Sequence, residues 1–185
     1  MSDNQKWNKL GSKRGVDTIF RVAYRTQVDL TGIADSKANI MISINGIILS
    51  VILATIVPIL SQQRWLVLPT VVLLVTSVAT LVFAVLAALP RVTKRDLTLE
   101  DVLENQVNIL FFGHFTNLSK EEFEEGMLDL LHDRRLVYGT MIRDLYNAGR
   151  VLRRKFFLLR ISYLIFLFGI VTSIALYIGL FLSQG

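Results

Sequence analysis

The sequence predicts an all-α, polytopic membrane protein with three transmembrane helices and a helical cytoplasmic bundle. The chain has 185 residues, of which 52% are hydrophobic, and its mean hydropathy is +0.51. The apolar residues are concentrated in three blocks that contain no acidic or basic side chain, at 40–60, 65–89 and 161–182. Each block matches the roughly 20 apolar residues that cross a bilayer as a helix. Buried helices of a soluble protein would need a polar shell that this short chain cannot supply.

These blocks divide the chain into predicted segments. The first block follows a long charged segment, which is typical of a retained span and not of a cleaved signal peptide. We expect a flexible cytoplasmic tail at 1–16, a cytoplasmic helix leading into the membrane at 17–39, transmembrane helices at 40–60, 65–89 and 161–182, and a cytoplasmic helical region at 90–160.

The distribution of basic residues predicts the orientation of the spans. Seven of the 20 Lys and Arg residues precede the first span and twelve lie in 90–160. The link between spans one and two contains only Arg64, and the segment after span three contains none. By the positive-inside rule, the N-terminus is then cytoplasmic and the C-terminus periplasmic or extracellular. The basic cluster just before span three is expected at the anionic inner leaflet; it comprises Arg150, Arg153, Arg154, Lys155 and Arg160.

A polar line leads along the predicted first helix into the bilayer. Its residues recur every four positions and so stack along one helical face: Gln27, Thr31, Asp35, Asn39 and Ser43. A helix that served only as an anchor would not need polar residues to continue into the span. We therefore interpret this segment, including Asp29, as the element that couples an aqueous event to the membrane.

A second pattern of small and polar residues overlaps this line. Its spacing alternates between four and three residues, which is the seam of a left-handed helix pair: Gly32, Ser36, Asn39, Ser43, Gly46 and Ser50. Such residues let helices approach closely in lipid. The seam predicts either self-association of the chain, with a pore as one product, or packing against spans two and three. Asn45 is expected to hydrogen-bond between helices or to lie on a gating path, because an unpaired polar group in a span is costly.

The cytoplasmic region is predicted to contain two helical pieces. The first has apolar residues at helical spacing over 99–110 and is interrupted by the run at 111–115. Ser119 followed by Glu122 is a capping box and marks the start of the second. Its apolar pattern continues towards span three, with possible kinks at Gly139 and Gly149.

Candidate ligand contacts lie near the inner end of the spans. Arg143, Asp144 and Tyr146 precede span three, and Asp35 and Lys37 precede span one. Arginine can bind a phosphodiester, tyrosine can stack on a base, and a carboxylate can bind a base edge. Ordinary helix-surface charge is the commoner explanation of such a group.

Other functional classes find no support in the sequence. There are no cysteines, and His114 and His132 are far apart without metal-ligand spacing, so no cofactor or metal is expected. The chain has none of the glycine-rich phosphate loops, HExxH motifs or nucleophile elbows that mark common enzymes. Acidic residues are mixed with the basic ones, which disfavours nucleic acid as a partner.

Three segments resemble one known family. They are RTQVDLTGIADSKANIMISIN at 25–45, NILFFGHFTNLSKEEF at 108–123 and RDLYNAGRVLRRKF at 143–156. In this order, and with an apolar span after the third, they are similar to the Pycsar effector transmembrane domain of bacterial anti-phage defence. Some members carry an added HD-type hydrolase domain, which these residues do not contain, so we expect no such activity.

The resemblance implies a signalling pathway. A partner cyclase makes cyclic CMP or cyclic UMP on infection, and the effector, a homo-oligomer, disrupts the bacterial inner membrane and causes abortive infection. The alternative is a non-enzymatic membrane scaffold or a lipid-sensing subunit of a larger complex. A scaffold would bind no nucleotide, and a lipid sensor would bind anionic vesicles whether or not nucleotide is present.

Overall fold

The computed structural model describes residues 12–90, 109 and 118–183. Every element in these ranges is helical, and three helices are long and apolar enough to cross a membrane, which confirms the predicted fold class. The α-helices are α1 (Lys13–Val51), α2 (Val67–Ala88), α3 (Lys120–His132) and α4 (Arg134–Leu182).

Proline determines how the first two spans end. Helix α1 begins at Lys13, before the expected start at Asp17, and is followed by a π-helical turn at Ile52–Ile56 and a 3₁₀ turn at Val57–Ile59. Pro58 lies in that 3₁₀ turn, where its missing N–H does not interrupt an α-helical ladder. A second 3₁₀ turn, Arg64–Leu66, leads into α2.

A proline also follows the end of α2. Leu89 adopts φ −55° and ψ 124°, because the residue before a proline is pushed out of the helical region, and Pro90 follows it.

The capping box at the start of α3 is confirmed. The Ser119 N–H donates to Glu122 Oε2 at 2.8 Å, and the Glu122 N–H donates to Ser119 Oγ at 3.2 Å. The hydrogen bond from the Ser119 backbone lowers the pKa of the Glu122 carboxyl. The predicted helix over 99–110 and the interruption at 111–115 lie outside the described residues, apart from Ile109.

A break that the apolar pattern does not predict separates α3 from α4. Asp133 leaves the helical region at φ −116° and ψ 111°. Its carboxylate accepts a hydrogen bond from the Arg135 N–H at 2.8 Å and so caps α4. Beyond this point α4 continues through Gly139 and Gly149 as one helix.

The chain forms two compact units. The polar unit combines Met1–Asp29 with Pro90–Val151, and the membrane unit combines Leu30–Leu89 with Leu152–Gly185. In the polar unit, Tyr138 stacks on Phe20 with 5.9 Å between ring centroids, and its hydroxyl donates to Asp17 at 2.9 Å. These contacts hold the start of α1 against α4.

The membrane unit buries small and polar residues and exposes large apolar ones. Its core contains Ala34 and Ala38 of α1, Ala87 of α2, and Leu152 and Leu159 of α4. The buried residues of α2 are Pro69, Thr70, Ser77, Thr80, Ala84 and Ala87. Many large apolar side chains are exposed in the same unit. This is the pattern of helices that pack through small residues and face lipid with the rest of their surface.

Helix α4 packs closely against α2 at Gly169. A Cβ atom added there would lie 2.5 Å from Thr76 Cβ and 2.9 Å from its Cγ2. Nearby, the Ser162 hydroxyl donates to the Thr80 carbonyl at 3.0 Å. Only glycine fits at position 169 while the two helices keep this spacing.

The first prediction concerns this contact. Gly169→Ala should destabilise the membrane unit by about 1–3 kcal/mol, because the new methyl group overpacks the α2–α4 interface. The measurement is thermal unfolding of the detergent-solubilised protein. Gly179→Ala is the matched control, since a Cβ at Gly179 meets nothing within 4 Å. Equal melting temperatures for the two variants would contradict the close approach.

Candidate functional site

An ion pair links α1 to α4 within the membrane unit. The Lys155 ammonium contacts the Asp35 carboxylate; the lysine side chain is 11% exposed and the aspartate side chain 39%. Lys155 therefore differs from the other members of the predicted basic cluster, because its side chain is buried and paired across to α1. The other members of that cluster, Arg150, Arg153, Arg154 and Arg160, are exposed.

Helix α1 presents two different faces in the membrane unit. Its buried face consists of residues spaced by four, three, four and seven: Ala34, Ala38, Met41, Asn45 and Ile52. At about 100° per residue, this face points away from the predicted seam. Gly32, Ser36, Asn39, Ser43 and Ser50 of the seam are exposed, and Gly46 is half-buried. Packing within the chain therefore uses the other side of the helix.

The polar line with four-residue spacing crosses between these faces. A helix has 3.6 residues per turn, so a strict four-residue repeat rotates by about 40° at each step. Gln27, Thr31 and Asp35 are accordingly half-buried, whereas Asn39 and Ser43 are exposed. Asp29, the remaining coupling candidate, is also exposed.

Asn45 lies on the packed face and not on the seam. It is fully buried, and its Nδ2 donates to the Met41 carbonyl of the same helix at 2.8 Å. Its Oδ1 accepts no hydrogen bond from the described residues. The expected hydrogen bond to another helix is therefore not made within the described part of this chain.

The ligand candidates of the polar unit lie within about one turn of α4. Arg143 and Tyr146 are exposed, and the Arg150 guanidinium lies 6.0 Å from the Tyr146 ring centroid. Asp144 is half-buried and interacts with Tyr24 of α1. An exposed tyrosine ring with an arginine beside it is a surface on which a base could stack while a guanidinium binds a phosphate.

Tyr24 is a partner of Asp144 that the sequence patterns do not identify. Its hydroxyl donates to the Met141 carbonyl at 3.1 Å. Burial, with help from the hydrogen bond to Asp144, raises the pKa of the Tyr24 phenol above its usual range. Asp144 is thus held by α1, while Lys37, on the membrane-unit part of α1, is exposed.

A match to a known family model shows which family the chain belongs to. The family model of the Pycsar effector protein domain matches residues 18–183. The chain belongs to the Pycsar effector family. The match includes all three apolar spans and both units. No curated protein and no solved structure matches the chain.

Family membership establishes the general role. The chain is a membrane effector of anti-phage defence, and its partner system generates a cyclic nucleotide. Three apolar helices make it a membrane protein. In this Pycsar effector, two helices, α1 and α4, each contribute residues to both the polar unit and the membrane unit.

The second prediction concerns the Asp35–Lys155 pair. Asp35→Asn should lower stability by about 1–3 kcal/mol, because the buried Lys155 ammonium loses its counter-charge. Asp35→Asn combined with Lys155→Met should recover part of this loss, since no unpaired charge then remains buried. Thermal unfolding in detergent measures both effects.

The control for this experiment is the exposed ion pair of α3. Lys120 and Glu124 lie 3.6 Å apart, with side chains 81% and 63% exposed. Glu124→Gln should change stability by less than about 0.5 kcal/mol. If Asp35→Asn is as mild as Glu124→Gln, the Asp35–Lys155 pair does not stabilise the membrane unit.

Proposed function

We propose that this effector binds cyclic CMP or cyclic UMP made by a partner cyclase and then disrupts the bacterial inner membrane by forming an oligomeric pore, which causes abortive infection. In this proposal the protein is non-enzymatic, with its N-terminus in the cytoplasm and its C-terminus in the periplasm or outside the cell. Family membership supports the pathway. The observation that carries the pore is the exposed polar seam of α1.

The glycines of the seam support assembly between copies. A Cβ atom added at Gly32 or Gly46 would meet no atom of the described residues within 4 Å, so packing among those residues does not require glycine at either position. Gly169, in contrast, is required by contact with Thr76. Small residues that the isolated chain does not need are explained if a second copy approaches the same face.

The polar side chains of the seam suit a pore as well as an interface. Asn39 and Ser43 are exposed at the start of the first apolar block. In lipid these groups would lack hydrogen-bond partners, at a free-energy cost. Facing other copies, or water enclosed by several copies, would remove that cost.

Nucleotide binding in the polar unit can affect the seam because α1 and α4 each contribute residues to both units. Helix α1 contributes residues up to Asp29 to the polar unit and residues from Leu30 to the membrane unit, and α4 is shared in the same way. A ligand shifts a conformational equilibrium only by binding one state better than another. Contacts of the nucleotide with Arg143 and Tyr146 would therefore favour one arrangement of α4, and Asp35–Lys155 would transmit it to α1.

The third prediction tests the pore. Purified protein in liposomes loaded with a fluorescent dye should release the dye when cyclic CMP or cyclic UMP is added. Gly46→Leu and Ser43→Leu should greatly reduce this release, because a large side chain keeps the seams of two copies apart. Both variants should still bind the nucleotide.

Gly179→Leu is the matched control for these variants. It places the same side chain at another membrane glycine with open surroundings, and it should release dye like the original protein. If neither nucleotide causes dye release from any of these proteins, the proposal of a nucleotide-gated pore is wrong. Release that survives Gly46→Leu and Ser43→Leu would remove the seam from the mechanism.

The fourth prediction tests the ligand contacts. Titration calorimetry should show binding of one cyclic pyrimidine nucleotide and not of cyclic AMP or cyclic GMP. Lys37→Ala and Arg143→Ala should each weaken binding by about tenfold, as expected when a charge-assisted hydrogen bond to phosphate is lost. Lys120→Ala, which removes an exposed cation of α3, should have no effect.

Two results would contradict this assignment. Normal binding by both Lys37→Ala and Arg143→Ala would show that the phosphate contacts lie elsewhere. The absence of nucleotide binding, together with dependence on another membrane protein, would favour the scaffold alternative.

A further inference from the structure

The membrane unit contains a cavity of about 550 Å³ beside the link between spans one and two. Its walls come from the second half of the first span, the start of the second span, and residues 170–177 of the third span. Most of the lining is apolar, and includes Ile48, Ile56, Leu73, Ile170 and Ile174. The volume falls within the range of about 300–1,000 Å³ that ligand pockets occupy.

One buried hydroxyl in this cavity has no partner. Ser173 is 5% exposed and lines the cavity, and its Oγ makes no hydrogen bond with any described residue. Thr70, which also lines the cavity, donates to the Leu66 carbonyl at 2.6 Å. Hydroxyls in membrane helices are usually satisfied in this way, so the Ser173 Oγ remains available to an occupant.

The rim of the cavity has the composition of a membrane–water interface. Trp65 and Tyr177 line it, with 5.4 Å between their ring centroids, and Phe181 lies 6.0 Å from Trp65. Aromatic side chains of this kind concentrate at the headgroup level. Arg64, exposed and next to Trp65, is the only basic residue of the link.

These features select the chemical class of the occupant. A cyclic nucleotide is polar over its base, sugar and phosphate, and most of these groups would lie unpaired against the apolar wall. Water is poorly held by an apolar cavity. The features match a molecule of three parts. A long apolar chain would lie against the wall, a hydrogen-bond acceptor near one end would face Ser173, and a negative charge beyond it would lie near Arg64.

We propose that the cavity binds one acyl chain of an anionic phospholipid, with an ester oxygen accepting a hydrogen bond from Ser173 and the phosphate at Arg64. The lipid then completes the packing of the three spans where the first span ends in π-helical and 3₁₀ turns. This site is separate from the nucleotide response, and its occupation does not require the nucleotide.

Quenching of Trp65 fluorescence tests this proposal directly. The chain has two tryptophans, so Trp7→Phe leaves Trp65 as the only one. The protein is placed in phosphatidylcholine nanodiscs with increasing fractions of phosphatidylglycerol brominated on its acyl chains. We expect saturable quenching at fractions well below those at which random lipid contact quenches, and competition by unlabelled phosphatidylglycerol but not by inorganic phosphate.

Three variants separate the cavity from the general lipid surface. Ser173→Leu fills the cavity and removes the hydroxyl, so the saturable component should disappear. Thr172→Leu, at an exposed neighbouring position, should retain it. Arg64→Gln should reduce the preference for phosphatidylglycerol over phosphatidylcholine by about fivefold, the factor that one basic residue contributes near an anionic surface.

A second variant that fills the cavity is needed in case the first one does not fold. If Ser173→Leu unfolds, Ile170→Phe fills the cavity from another position on α4 and should remove the same component. Native mass spectrometry should also show one phospholipid retained by the original protein and lost in the filled variant that folds. Identical, non-saturable quenching in all variants would overturn the proposal, as would cross-linking that shows the cavity occupied by a second copy of the chain.

Discussion

The packing of Ala34 and Ala38 against Ala87 and Leu159 is the constraint on which the membrane unit depends. Inside lipid there is no hydrophobic force to bring apolar helices together, so close contact between small residues must supply the attraction. These alanines occupy one side of α1. Their contact with the other two spans leaves Gly32 and the other seam residues, apart from the half-buried Gly46, exposed among the described residues. The surface available for assembly is thus a consequence of how the single chain packs.

Two buried polar atoms of the membrane unit differ from most of the hydroxyls around them, since they have no hydrogen-bond partner among the described residues. Hydroxyls are mostly satisfied by a carbonyl one turn earlier in the same helix, as in Ser50 to Gly46 and Thr80 to Thr76. Asn45 Oδ1 and Ser173 Oγ are buried there without a partner among the described residues. An unpaired buried polar atom costs free energy. Such atoms are therefore the places where an additional molecule stabilises the structure most, and Ser173 lines a cavity large enough to hold one.

Much of the fold is predictable because it depends on local features of the sequence. Span number follows from uncharged apolar blocks, the start of α3 from Ser119 and Glu122, and the end of α2 from Pro90. The break at Asp133 depends on a side chain that caps α4, and apolar periodicity alone does not register such a cap.

The candidate site was less predictable, because it depends on which helical faces meet. The small residues of the seam could have formed the packed face of α1, and the sequence does not show that the face with Ala34 and Ala38 packs instead. Likewise, Lys155 has the same character as the arginines around it, and only the packing of α4 on α1 shows that it pairs with Asp35. Tyr24 is a single aromatic residue whose partner, Asp144, is far away in sequence.

The charge of the proposed ligand limits the part that Asp35 can play. A cyclic mononucleotide carries a negative phosphodiester, which Asp35 repels and the Lys155 ammonium attracts. Since these two groups already pair, a phosphate that reached Lys155 would have to replace the carboxylate. Contact with a base edge would leave the ion pair in place. Asp35 therefore fits a role in joining α1 to α4 better than a role in holding phosphate, whereas Arg143 and Lys37 have the charge that phosphate requires.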